Sequence, residues 1–177
     1  MCSHGRDGVV AKRREIRTLQ CLAAALKPPA MDSDLPPFDP AVAAQAMLRH
    51  GHSGWLGLDY VAHGPDWVEL ALPWREDLVG ETGSGILATG PIVSLMDMAS
   101  GMSIWTATGD FRAVATLDLR VDYMRPAREG SAVNGRAECY RVTRSAAFVR
   151  GIAHDGDPDD PVAHIAGVFM SIPWRGR

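Results

Sequence analysis

The chain has 177 residues, 46% hydrophobic and 22% charged, a size and balance that suit one domain able to bury a core without disulfides or metals. A formal net charge of −3 gives no bulk signal for a nucleic-acid partner. The three cysteines, Cys2, Cys21 and Cys139, are widely separated and show no CxxC or Cys/His spacing, which argues against a disulfide framework or a zinc site and favours a reducing, cytoplasmic setting.

The charge is uneven. Residues 1–30 hold six Lys or Arg against Asp7 and Glu15, a net +4 that leaves −7 for the rest. The apolar run Leu19–Leu26 is short for a signal peptide. Residues 27–39 are rich in proline and acid and read as a linker. Residues 1–38 are therefore expected to form a disordered basic extension, with Met31 an alternative start, followed by one domain over 39–177. The most apolar stretch, Ile86–Trp105, is interrupted by Gly90, Pro91, Asp97 and Gly101 and makes a poor membrane span.

Asp39 reads as a helix N-cap with Pro40 at the first helical position, which predicts a short helix over 40–50 ended by Gly51. Trp55–Ala62 and Asp66–Trp74 read as two strands, the second with Val68, Leu70 and Leu72 alternating with Glu69 and Ala71. A loop with three glycines is expected over 75–88. Gly90-Pro91 then opens a helix over roughly 92–107 with almost no polar face, so burial nearly all round is expected. Four strands follow, over 114–124, 132–142, 146–153 and 162–172, with turns at 143–145 and 155–161. Runs of strands without alternating helices argue against a parallel sheet. The fold class is α+β, an antiparallel sheet wrapped around one long central helix.

Asp97 lies two turns into that helix, among Val93, Leu95, Met96, Met98 and Met102. A carboxylate so placed is either a functional acid, with a pKa raised by burial, or a structural one capping an amide or pairing with an arginine. At the start of the same helix, Thr89-Gly90-Pro91 presents unbonded backbone N–H groups and the positive end of the helix dipole, a geometry that can hold a developing oxyanion. Other constellations are weaker. His50-x-His52 lacks a carboxylate or Cys partner nearby and reads as structural or exposed. Asp155-x-Asp157-x-Asp159 departs from a calcium loop at the sixth and twelfth places, Asp160 and Ala166, and reads as an acidic turn. Ser94, Ser100 and Ser103 share the helix with Asp97, but no His is placed to suggest a triad.

The stretch G-I-L-A-T-G-P-I-V-S-L-M-D-M-A-S-G resembles the helix motif of the PaaI-like hot-dog acyl-CoA thioesterases. V-A-T-L-D-L-R-V-D-Y-M-R-P-A-R-E-G resembles that family's next strand, and A-H-I-A-G-V-F-M its last. The resemblance covers roughly residues 52–173. It implies a hot-dog fold and hydrolysis of an acyl- or aryl-CoA thioester, with CoA part of the substrate and neither metal nor cofactor required. It also implies a homodimer or homotetramer with sites at the subunit interface. By the same resemblance Asp97 matches the catalytic carboxylate, nucleophile or general base. Thr89, with Gly90, matches the backbone N–H that holds the thioester oxygen, Thr82 lies where relatives place an amide side chain, and Arg125 and Arg144 match positions near CoA phosphates. The chain departs from the family's His-Gly-Gly, having Ala88-Thr89-Gly90 instead. That departure motivates an alternative, an acyl-CoA binding protein without turnover. A dehydratase of the same fold is disfavoured because the helix has no His.

Overall fold

The computed structural model describes residues 38–171. Nearly all of the basic extension and the expected strand end at Ile172 lie outside the described residues. In chain order the elements are α1 (Pro40–Leu48), α2 (Gly51–Leu56), β1 (Asp59–His63), β2 (Trp67–Leu72), a 3-10 turn (Glu76–Leu78), α3 (Thr89–Thr108), β3 (Val114–Tyr123), β4 (Val133–Val142), β5 (Ala146–His154) and β6 (Ala163–Ser171). The strands form one six-stranded sheet in the order β1-β2-β4-β5-β6-β3, with every neighbouring pair antiparallel. The sheet wraps the long helix α3, the hot-dog arrangement expected above.

Local chemistry explains the helix ends. The Asp39 carboxylate accepts from Ala41 N at 2.8 Å and Val42 N at 3.4 Å, so it caps α1 ahead of Pro40. Gly109 ends α3 in the left-handed conformation, which L side chains rarely adopt. Along β2 the residues alternate half-buried and buried, with Val68, Leu70 and Leu72 facing inward. The inner faces of β4 and β5 carry small residues, Gly135, Ala137, Ala147 and Ala153, and this lets α3 lie close against the sheet. The inward side of α3, with Leu95, Met96, Ala99 and Ile104, is fully buried.

Two expectations change. The first is the strand over Trp55–Ala62. Its first two residues belong instead to α2, and the strand begins only at Asp59. Gly57, at φ 73°, closes α2 with its N–H bonded to Gly54 and Ser53, so Ser53 and Leu56 turn inward as a helical pair. The helix expected to run to His50 correspondingly stops at Leu48. The second is burial all round for the central helix. The first turns of α3 are open on one side, with Gly90 and Val93 exposed and Asp97 half-buried. The sheet covers only one flank there, and β3, its last strand, leaves Leu117, Tyr123 and neighbouring Met124 exposed at the edge.

Candidate active site

α3 begins one residue earlier than the Gly-Pro pair, at Thr89. Ala88 precedes it with an extended backbone, and its own N–H is bonded to Leu78 at 2.8 Å. No side chain caps the helix. Pro91 has no N–H, so Thr89 and Gly90 supply the donors of the first turn. Among the described residues no non-glycine residue has a positive φ, so Thr89 fits its place without strain. The Ala88-Thr89 departure therefore leaves the donor geometry of the helix start intact. The Tyr123 hydroxyl, from the end of β3, donates to the Thr89 carbonyl at 3.1 Å and pins this turn. Burial pushes the Tyr123 phenol up, so it stays a neutral donor.

Gly90 lines a cavity of about 400 Å³ together with His52, Trp55, Asp77, Pro91 and Ser94. A Cβ at Gly90 would meet nothing within 4 Å, so the backbone there faces open space. His52 Nε2 lies 3.2 Å from Ser94 Oγ. His52 is exposed, as read from the sequence, whereas the expectation that no His is placed near the helix serines is corrected at Ser94. α2, unforeseen from the sequence, carries His52 against the first turns of α3.

Asp97 occupies a separate cavity of about 330 Å³, bounded by Met98, Gly101, Met102, Trp105, Phe111 and Thr116 among others. The walls are mainly apolar, and the Trp105 and Phe111 rings pack 4.6 Å apart at one side. Thr116 of β3 donates its hydroxyl to Asp97 at 2.8 Å. The carboxylate is thus neither fully buried nor paired with an arginine. Thr116 carries no sequence signal for this role, because the contact spans 19 residues and lies where the register of β3 against β6 shifts, between Thr116 and Asp118.

The remaining expected residues lie further out. Thr82 is exposed in the loop between Val79 and Leu87, which bridge to each other across its base. Arg125 donates to the Asp155 carboxylate at 2.8 and 2.7 Å, and Arg128 N donates to the same group at 2.7 Å. Asp155, with its side chain fully buried, is held well below the usual carboxylate range, chiefly by the Arg125 guanidinium. The Arg125 guanidinium is accordingly engaged inward, while Arg128 beside it is half exposed. Asp155, the first acid of the Asp-x-Asp-x-Asp turn, is the anchor of this cluster. Arg144 is exposed in the β4–β5 turn. That turn lies at the end of the sheet where Val114 begins β3, opposite to the end where Tyr123 meets Thr89.

A thioesterase superfamily model matches residues 84–162, a span that starts just before α3 and ends just before β6. A Pseudomonas aeruginosa protein of known crystal structure is 40% identical, covering 77% of this chain and 100% of that one, with a TM-score of 0.68. The medium/long-chain acyl-CoA thioesterase YigI of Salmonella typhimurium is 29% identical over 115 residues, 58% of this chain and 74% of that protein. A Granulibacter bethesdensis protein named peptidyl-tRNA hydrolase is 31% identical over 150 residues, 74% of this chain and 75% of its own. In fold, the E. coli PaaI protein is also similar, with a TM-score of 0.64 at 17% identity over 75% of this chain and 94% of that one.

Proposed function

The chain belongs to the thioesterase superfamily, and from that premise we propose that it hydrolyses an acyl- or aryl-CoA thioester to the free acid and CoA. The observation that carries this reading is the division of one helix into two chemical ends. An uncapped turn opens onto one cavity at Gly90, and the Asp97 carboxylate stands over an apolar cavity further along. The thioester oxygen rests on the N–H groups of Thr89 and Gly90, where charge develops in the tetrahedral intermediate. Asp97 attacks the carbonyl carbon or takes a proton from the attacking water. The acyl group lies along Met98, Met102 and Trp105.

This reading uses two copies of the chain. Thr89 and Asp97 are eight residues apart on one helix, about 12 Å along its axis, whereas one carbonyl spans roughly 6 Å between an oxyanion donor and a nucleophile. The open edge of β3, with Leu117, Tyr123 and Met124 exposed, is suited to pairing with its equivalent about a two-fold axis. Such pairing brings Asp97 of one copy toward the helix start of the other. Arg128, Arg144 and Thr82 are then candidates for the outer parts of CoA, with Arg125 supporting Arg128 through Asp155.

The test is thiol release from short-, medium- and aryl-acyl-CoAs by the wild type and by Asp97→Asn. The expected outcome is turnover that falls at least 10³-fold in the variant with CoA binding retained, about 4 kcal/mol of transition-state stabilisation. Saturable CoA binding without thiol release by the wild type would favour a binding protein instead. Release of peptide from peptidyl-tRNA in preference to thioester cleavage would overturn the substrate assignment, as the name of the Granulibacter relative makes worth measuring.

A further inference from the structure

We propose that His52 and Ser94 form an acid–base pair that delivers a proton to the departing sulfur at the start of α3, an inference that rests on the thioester reading above. Ser94 Oγ lies 3.2 Å from both His52 Nε2 and the Gly90 carbonyl oxygen. A hydroxyl accepts from one neighbour while donating to another, so Ser94 joins the imidazole to the first turn of α3. Both side chains line the cavity that Gly90 opens onto.

The imidazole is held rather than free. Its ring stacks on Trp55, with centroids 5.8 Å apart and planes 19° from parallel. Trp55 is fixed in turn, since Arg75 Nη1 donates to its carbonyl at 2.6 Å and the guanidinium lies 5.7 Å from its ring. Asp77 anchors Arg75 at 2.6 and 3.0 Å. Asp77 also lines the cavity, but that ion pair occupies it. Of the titratable side chains lining this cavity, His52 is the one outside an ion pair, and an imidazole can both donate and accept a proton. Ala88, just ahead of the helix, offers only a methyl group.

The step balances as follows. When the tetrahedral intermediate collapses, the carbon–sulfur bond breaks and its electron pair stays on sulfur. Sulfur takes the Ser94 hydroxyl proton, and Ser94 takes the Nε2 proton of the His52 imidazolium. The products are a thiol, an intact serine and a neutral imidazole. Solvent reprotonates the imidazole and accepts the water proton taken up at Asp97 before the next turnover.

A purely structural tether between α2 and α3 would slow every substrate alike, whereas a proton donor matters more as the leaving group becomes more basic. The experiment therefore uses one acyl group on three thiols, nitrothiophenol, thiophenol and CoA, with the wild type, His52→Gln and Ser94→Ala. Both variants are expected within twofold of wild type on the nitrothiophenyl ester and about 10²-fold slower on the CoA thioester in kcat, with folding unchanged by circular dichroism. Loss of equal size across the series, or no loss in either variant, overturns the assignment while leaving the hydrolase reading standing. No thiol release by the wild type from any of the three overturns both.

Discussion

Gly135 gives a demanding test of how the helix is seated. It lies on the inner face of β4, where an added Cβ would stand 2.7 Å from Met96 Sδ and 2.8 Å from Leu95 Cγ. Both neighbours are fully buried, and both immediately precede Asp97 in sequence. Carbon atoms rest at about 3.5–4.0 Å, so Gly135→Ala requires α3 or β4 to give way by roughly 0.7–1.2 Å. Met96 can swing its sulfur aside, but Leu95 Cγ is close to the helix backbone and moves only with it. Overpacking of this kind costs about 1–3 kcal/mol. A strand glycine without such neighbours would instead gain roughly 0.5–1 kcal/mol on becoming alanine, so even the sign discriminates. Under the proposed mechanism, a shift near 1 Å also moves Asp97 away from the thioester carbonyl, with a loss of up to about 10²-fold in kcat. Urea unfolding and thiol release on the same preparation measure both. Gly135→Ala with unchanged or raised stability and wild-type kcat would refute the close seating of α3 on β4.

Two further outcomes are expected. Thr116→Val removes the hydroxyl that donates to Asp97 at 2.8 Å, and kcat for thioester hydrolysis should fall about tenfold, with KM within twofold, in steady-state assays. Asp155→Asn breaks a buried pair with Arg125 and should lower unfolding stability at neutral pH by about 3 kcal/mol. The Asp155 carboxyl is depressed in the folded state, so its contribution is full above the unfolded value of about 3.9 and drains as pH falls below that. The gap between wild type and Asp155→Asn in urea titrations should accordingly narrow below about pH 4. A gap that stays constant down to pH 2 would contradict the pairing.

Much of the architecture is written in local chemistry. Asp39-Pro40 announces α1, Gly90-Pro91 marks the opening of α3, and the alternation of Val68, Leu70 and Leu72 marks the buried face of β2. These signals survive in isolation because caps, turns and period-two patterns are satisfied within a few residues of backbone. α2 escaped because Trp55-Leu56-Gly57-Leu58 carries the apolar density of a strand. Only the left-handed Gly57 and the burial of Ser53 with Leu56 show a six-residue helix there. So short a helix depends on what it packs against more than on its own propensity.

The sequence by itself determined that one helix carries both a lone carboxylate, Asp97, and an uncapped start at Thr89-Gly90, because both features are local. Tertiary structure alone decided their surroundings. It set Thr116 on Asp97 across 19 residues and His52 on Ser94 across 42, and it turned Arg125 inward to an acid 30 residues away. Each of these contacts joins groups far apart in the chain, and their meeting follows from how the strands pair and pack around α3, which no spacing along the chain encodes.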